Sequence, residues 1–211
     1  MPRQRFERAA EAKRNALLDA AAKEFATHGY AGASINRILL AAGLSKGSFY
    51  YYFDDKADLA ATVVAHETAQ WIDSIGALPL PDTAEDWWEE MRRFNDRAIA
   101  EMLESPLRSD LLSRLGTAAA RDPDLFARMG PYLKDAAERG AGFFRRGQEV
   151  GALRTDLSVE TLMTIQQGSK KSLTAALLPA DRAPTAEELA EFARINFDCF
   201  RRLALPEEKK Q

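Results

Sequence analysis

Apolar residues recur three and four positions apart along almost the whole chain, and this spacing constrains the fold more than any other feature. It places apolar side chains on one stripe of an α-helix. We find no run in which apolar and polar residues alternate, and no Asn-Gly or Asp-Gly pair of the kind that joins two strands. The sequence therefore predicts an all-α protein.

Glycine, proline and helix-capping residues divide this pattern into about nine helices. Ser34 and Ser45 are favourable N-caps for two short helices, which Gly43 separates. The first predicted helix ends at about residue 28, and the others span about 34–42, 45–52, 55–75, 82–105, 107–120, 123–151, 158–178 and 186–203.

Side-chain caps mark the starts of three longer helices. Asp55 precedes the fourth helix, Asp82 with Glu85 has the spacing of a capping box for the fifth, and Thr185 with Glu188 has it for the last.

Composition excludes several classes of protein. No apolar run approaches the roughly 18 residues that a membrane span needs, and the polar start lacks the apolar segment of a secretory signal. Cys199 is the only cysteine, so the chain forms no internal disulfide. Together these features predict a cytoplasmic protein.

Charge is distributed unevenly along the chain. Residues 1–56 contain 9 Lys and Arg against 6 Asp and Glu, whereas residues 57–211 contain 20 against 26. A mildly basic first part is compatible with a polyanionic partner, and the acidic remainder is not a nucleic-acid surface.

Residues 34–56 have the proportions of a helix-turn-helix, a motif whose second helix points its N-terminal residues at the major groove of DNA. Lys56 is unusual because a cation in the first turn of a helix opposes the macrodipole, whereas a phosphate bound there would be attracted to both. The residues alone leave a second interpretation, a helical corner with a solvated lysine and buried tyrosines.

The motif resembles the DNA-binding domain of the TetR family of bacterial transcriptional regulators. The family pattern A-A-G-V-S-K-G-T-L-Y-x-Y-F-x-S-K-x-x-L corresponds here to AAGLSKGSFYYYFDDKADL at 41–59, and the similarity extends back through FATHGYAGASI. Residues 151–157, GALRTDL, are similar to the connection before the eighth helix of many members. The resemblance implies a helix-turn-helix domain at 1–55 and an effector-binding and dimerisation domain at 56–211.

The resemblance also implies roles for individual residues. Phe49 and Phe53 fall on core positions. Leu39 and Leu40 replace a small and a polar residue of the family pattern, which predicts a more apolar exposed side of the second helix. The residues that fall on DNA-contacting positions are Ser34, Ser45, Lys46, Gly47, Ser48, Tyr50, Tyr51 and Lys56.

The second domain is rich in aromatic residues, and a few polar residues lie on the same helices. An apolar cavity with a few polar anchors is how small-ligand sites are built, although the same aromatics also suit a plain core. The predicted ligand contacts are His66, Trp71, Trp88, Asn95, Phe126, Gln166 and Gln167.

The last two helices carry small and apolar residues suited to a homodimer interface, because two recognition helices must be held together to read one operator. The alternative is that these faces are buried within the protomer. The predicted interface residues are Ile165, Gly168, Ser169, Ser172, Phe192, Ile195 and Cys199.

Together with these patterns, the resemblance implies a homodimeric regulator that binds operator double-stranded DNA and is a repressor released by a small apolar or aromatic effector. The sequence indicates no catalytic residue, metal or cofactor. Two alternatives stay open: a DNA-binding regulator without an effector, and a helical-bundle enzyme acting on a small hydrophobic substrate.

Overall fold

A computed structural model of the chain describes residues 6, 9–76, 78–179, 182 and 184–206. Within these ranges the chain contains helices and no strands, which confirms the all-α prediction. The helices that can be delimited there are α1 (Glu11–Gly32), α2 (Ile35–Ala41), α3 (Lys46–Tyr52), α4 (Lys56–Ile75), α5 (Ala84–Glu104), α6 (Pro106–Ala119), α7 (Pro123–Glu149), α8 (Val159–Leu177) and α9 (Ala186–Ala204). None of them, over the described residues, has the length and apolar character needed to cross a membrane.

Most of the predicted helix boundaries are confirmed. Gly29 has φ 66° and interrupts the regular backbone of α1 where the sequence predicts its end. The capping box of α9 is complete, because Thr185 Oγ1 accepts from Glu188 N at 3.2 Å and Glu188 Oε2 accepts from Thr185 N at 2.8 Å. Signals that are local in the sequence therefore determine where α1 is interrupted and where α9 begins.

The predicted cap of α5 is one residue out of register. Thr83 Oγ1, rather than Asp82, accepts from the backbone N–H of Asp86 at 3.1 Å. Asp82 instead pairs with Arg146, with Oδ1 and the guanidinium nitrogen 2.9 Å apart. Both residues have capping side chains, and the structure uses Thr83 as the cap and Asp82 in a long-range ion pair.

The described helices form two compact units, Met1–Ser74 with Glu104–Ala136, and Ile75–Leu103 with Ala137–Gln211. The predicted domain boundary at 55/56 falls within the first unit and stays a prediction. In that unit α1 packs against α2 and α6 around a core that includes Phe25, Phe49 and Leu111. Phe6 also belongs to this core, with its ring centroid 4.8 Å from that of Phe53.

The second unit contains two apolar clusters. The aromatic cluster is built on Trp87, Trp88, Met91, Phe143, Phe144, Leu162 and Phe200. The small cluster consists of Ile99, Leu189, Phe192 and Ala193, with Leu173 and Leu178 packed against it.

Trp87 lies at the centre of the aromatic cluster and is fully buried. Its ring stacks on Phe143 at a centroid distance of 4.8 Å, and its Nε1 donates to the Phe143 carbonyl at 2.9 Å. The ring is also in close contact with α7 at Gly147, where an added Cβ would lie 2.7 Å from Trp87 Cε2 and 2.9 Å from Leu153 Cδ1. Gly147 is therefore required by packing.

We predict that Gly147→Ala destabilises the protein, because the methyl group would overlap the rigid indole ring. Overpacking of this kind typically costs about 1–3 kcal/mol. The matched control is Gly116→Ala in α6, where nothing lies within 4 Å of the new Cβ and replacing a helical glycine gains about 0.5–1 kcal/mol. Urea unfolding of both variants measures the effect, and equal stability of the two would contradict this packing argument.

Candidate nucleic-acid interface

The turn between α2 and α3 depends on Gly43, whose φ of 65° lies in the left-handed region that glycine adopts without strain. The turn is closed by hydrogen bonds from Gly43 N to Leu40 O at 3.2 Å and from Leu44 N to Leu39 O at 2.9 Å. Ser45 caps the start of α3, and its Oγ accepts from Ser48 N at 3.3 Å. This is the geometry of a helix-turn-helix.

α3 has one buried and one exposed face. Phe49 and Phe53 are fully buried and stack at a centroid distance of 5.7 Å, as the core prediction requires. Tyr50 and Tyr51 lie on the outside, with 53% and 49% of their surface exposed. Anchoring two rings in the core therefore fixes the side of α3 that faces outward.

Six of the eight predicted DNA-contacting residues belong to α3 or to its N-cap, whereas Ser34 caps α2 and Lys56 starts α4. Ser45, Lys46 and Gly47 are exposed at the start of α3, and Ser48 and Ser34 are half-buried. The hydroxyl oxygens of Ser45 and Ser48 are 3.0 Å apart. The structure thus presents hydroxyl and ammonium donors together at the N-terminal end of α3, and their contacts with DNA stay predictions.

The start of α2 is held by a carboxylate that the sequence does not identify. Glu24 of α1 is buried, and its Oε1 accepts from Ser34 N at 2.8 Å and from Arg37 Nε at 2.9 Å. Its Oε2 lies 3.3 Å from His28 Nδ1. A buried carboxylate that receives several charge-assisted hydrogen bonds is strongly bound, so Glu24 fixes α2 relative to α1.

These contacts alter the acidity of Glu24. The hydrogen bond from Arg37 lowers the pKa of the carboxyl below its ordinary value against the opposing effect of burial, and Ser34 N–H lowers it further. A lowered pKa means that the folded state gains stability above the ordinary pKa and loses it as the pH falls through the folded value.

Lys56 has a structural role in addition to the predicted phosphate contact. Its Nζ donates to the carbonyl oxygens of Ala31 and Ala33, both at 3.3 Å, and lies 4.8 Å from the centroid of the Tyr30 ring. Two of the three ammonium hydrogens are thereby used. The ammonium therefore ties the start of α4 to the end of α1, which explains why a cation is tolerated in this first turn.

The two leucines of α2 behave differently. Leu40 is 83% exposed, as the departure from the family pattern predicts, but Leu39 is buried in the core. The prediction of a more apolar exposed side is therefore wrong for Leu39, because the short helix turns that position toward α1 and α3.

The predicted ligand contacts are divided between the two units. In the first unit, His66 lies with its Nε2 2.5 Å from Gln70 Nε2, Trp71 is half-buried, and Phe126 is 64% exposed. In the second, Trp88 and Asn95 are buried, Gln166 is half-buried and Gln167 is exposed. The aromatic residues of the second unit pack on one another, and the ligand role of each of these residues stays a prediction.

The predicted dimer contacts also differ in exposure. Phe192 is fully buried in the small cluster of its own protomer. The remaining residues are half-buried (Ile165, Ser169, Ile195 and Cys199) or exposed (Gly168 and Ser172). The dimer prediction therefore depends on these six residues and not on the Phe192 side chain.

The fold and the exposed face of α3 define a helix-turn-helix DNA-binding protein. A sequence model for "Bacterial regulatory proteins, tetR family" matches residues 17–63, which include α2, α3 and the start of α4. Among curated relatives, the transcriptional regulator AcuR of Cereibacter sphaeroides is 32% identical over 155 residues, covering 69% of this chain and 67% of that protein. The transcriptional repressor AcnR of Corynebacterium efficiens is 25% identical over 149 residues, covering 71% and 73%.

Solved structures of the same fold cover nearly the whole chain. A tetR-family transcription regulator from Shewanella sp. PV-4 superposes with a TM-score of 0.71 at 19% identity, covering 91% of this chain and 97% of that one. FadR from Bacillus subtilis, solved with stearoyl-CoA, gives a TM-score of 0.67 at 17% identity, covering 88% and 96%. The chain belongs to the TetR family of bacterial regulatory proteins, and it is a DNA-binding transcriptional regulator.

We predict that Glu24→Gln destabilises the first unit at neutral pH, because the neutral amide weakens the hydrogen bonds from Arg37 and Ser34. Hydrogen bonds to charged groups typically contribute about 1.5–3 kcal/mol. The difference from the wild type should shrink as the pH falls through the lowered pKa of the folded state, because the wild-type carboxyl then becomes protonated as well. Asp19→Asn, which removes an exposed carboxylate of the same helix, is the control. A stability deficit that does not change with pH would rule out this account of Glu24.

Proposed function

We propose that the protein is a repressor that binds its operator as a homodimer and leaves it when a small apolar or aromatic molecule binds within residues 56–211. The observation that carries the DNA-binding part is the exposed face of α3, where Lys46, Ser48, Tyr50 and Tyr51 project from a helix anchored by buried rings. The naming of AcnR as a repressor supports the direction of regulation.

Two kinds of contact are expected at this face. Lys46 and Ser48 lie in the first turn of α3, the part of a recognition helix that contacts base edges. Tyr50 lies further along α3, where a hydroxyl reaches phosphate, and phosphate contacts carry no sequence information. The two groups should therefore be separable by mutation.

We expect selection from a pool of random DNA duplexes to give two inverted half-sites about 34 Å apart, or a multiple of that, because a homodimer presents two copies of α3. Tyr50→Phe should weaken binding to all duplexes by the same factor, and Lys46→Ala should also change the selected sequence. For each phosphate neutralised, the logarithm of the affinity should fall by about 0.9 when the logarithm of the salt concentration rises by one.

Lys171→Ala, which changes an exposed lysine of α8, is the control for a loss of charge alone. Selection of a single half-site would contradict the homodimer. Salt-independent binding would contradict the whole DNA-binding proposal.

α4 is the element we propose for coupling effector binding to DNA release. It runs from Lys56 to Ile75 as one helix, and it contains the two predicted ligand contacts His66 and Trp71. Its start is tied to α7 by an ion pair between Asp55 Oδ2 and Arg128 at 3.0 Å. Asp55 lies three residues after Tyr52, the last residue of α3. A displacement of α4 or α7 would therefore be transmitted to the end of α3.

Coupling of this kind is reciprocal, so operator DNA must weaken effector binding by the factor by which the effector weakens operator binding. We expect a factor of about 5–150, measured by titrating an effector with and without the selected duplex. Arg128→Gln should reduce this factor if the ion pair transmits the change, whereas Arg194→Gln, at an exposed ion pair of α9, should not. Equal effector affinities with and without the duplex would indicate a regulator that the effector does not control.

A further inference from the structure

An open groove of about 370 Å³ lies between the end of α8 and the start of α9 in the second unit. Its apolar lining comes from Leu177 of α8 and from Phe192 and Ile195 of α9. Phe192 is fully buried beneath it, whereas Leu177 is 42% exposed at its edge. Exposed apolar surface that is rimmed by polar residues is typical of an interaction site.

The rim of this groove on α9 is acidic, because Glu187, Glu188 and Glu191 line it. Two of these carboxylates already have counter-ions, since Glu188 pairs with Arg182 and Glu191 pairs with Arg194. Glu187 is exposed, and we find no hydrogen-bond or ion-pair partner for it among the residues that the structure describes. The groove therefore combines an apolar floor with one carboxylate that is available to a cation.

The other end of α9 has the complementary character. Arg202 is exposed in its last turn and has no partner within the described part of the chain. Leu203 and Leu205 beside it have 46% and 40% of their surface exposed. The neighbouring Arg201 differs, because its guanidinium lies 5.6 Å from the centroid of the Trp88 ring. Arg202 is therefore the cation that this end of the helix offers to another molecule.

Glu187 and Arg202 lie on the same side of α9 but cannot meet within one chain. They are 15 residues apart, which places them about 22 Å apart along the helix axis and about 60° apart around it. Leu205 is 18 residues after Glu187, or about five full turns, so it lies on that side as well. One side of α9 thus presents a carboxylate at its start and a cation with an apolar side chain at its end.

These charges favour one direction in which two copies of α9 can pack together. In a parallel pair, Glu187 would lie beside Glu187 of the partner subunit and Arg202 beside Arg202 of the partner subunit, and like charges across an interface are costly. In an antiparallel pair, the first turn of each helix lies beside the last turn of the other, so opposite charges meet twice. A two-fold axis perpendicular to α9 generates this antiparallel pair, and two-fold symmetry is the commonest symmetry of homodimers.

We propose that the groove of each protomer receives the last turn of α9 from a second copy of the chain, so that Glu187 pairs with Arg202 of the partner subunit. Leu205 of the partner subunit would then cover Leu177 and Ile195. This inference rests on the proposed homodimer and specifies which surfaces and charges hold the two copies together. Ile195 belongs both to the groove and to the predicted dimer face, so the two surfaces are continuous.

The test reverses the two charges in separate variants. The Glu187→Lys homodimer would oppose two cations at each contact and the Arg202→Glu homodimer two carboxylates, so each should be about tenfold weaker than the wild type at low salt. A mixed dimer of the two variants has opposite charges at both contacts. Equal amounts of the variants, one of them tagged, are refolded together from urea and weighed by native mass spectrometry. We expect about 90% mixed dimer instead of the roughly 50% of random association, because a tenfold weakening of each homodimer raises the ratio of mixed to unmixed dimers tenfold.

Glu85→Lys is the matched control, because Glu85 is exposed and is the second residue of α5, as Glu187 is of α9. Refolded with Arg202→Glu, it should give random association. Random association of Glu187→Lys with Arg202→Glu, while the wild type sediments as a dimer, would overturn the inference and leave the homodimer intact; the groove would then be covered by something other than a second copy. A monomeric wild type would overturn both this inference and the proposed homodimer.

Discussion

The interaction of Glu24 with the start of α2 is the constraint on which the DNA-binding surface depends. α2 and α3 have seven residues each, and helices this short are not stable alone in water. The Glu24 carboxylate binds the backbone N–H of Ser34 and the Arg37 side chain, which ties α2 to the long helix α1. Gly43 then sets the direction of α3, and Phe49 and Phe53 set its rotation. The outward face of α3 follows from these three constraints.

The sequence predicts the helices and most of their caps because those signals are local. Ser34, Ser45 and Thr185 each accept a hydrogen bond from a residue three positions ahead, and this spacing is visible without any tertiary information. Long-range partners are not visible in this way. Asp82 is a plausible cap by sequence alone, and its ion pair with Arg146 is a long-range contact that the sequence does not show. Leu39 shares a helical face with Ile35 and Ile38, so the apolar spacing predicts its burial better than the comparison with the family pattern does.

The candidate sites show the same difference between local signals and long-range contacts. The exposed face of α3 could be predicted because the motif is compact and its spacing is distinctive. The aromatic residues of the second unit could not be assigned from composition, because rings around a ligand and rings packed on each other have the same sequence pattern.

Phe6 changes where the DNA-binding module begins. The family match starts at residue 17 and α1 starts at Glu11, yet the ring of Phe6 is buried and contacts Phe53 and Tyr52 at centroid distances of 4.8 and 5.6 Å. A shortened chain that begins at Glu11 would keep every helix from α1 to α9 and still lose one wall of the core behind α3. Phe6 is therefore part of the recognition module, and cutting the protein at its helix boundaries would damage the surface that such an experiment sets out to isolate.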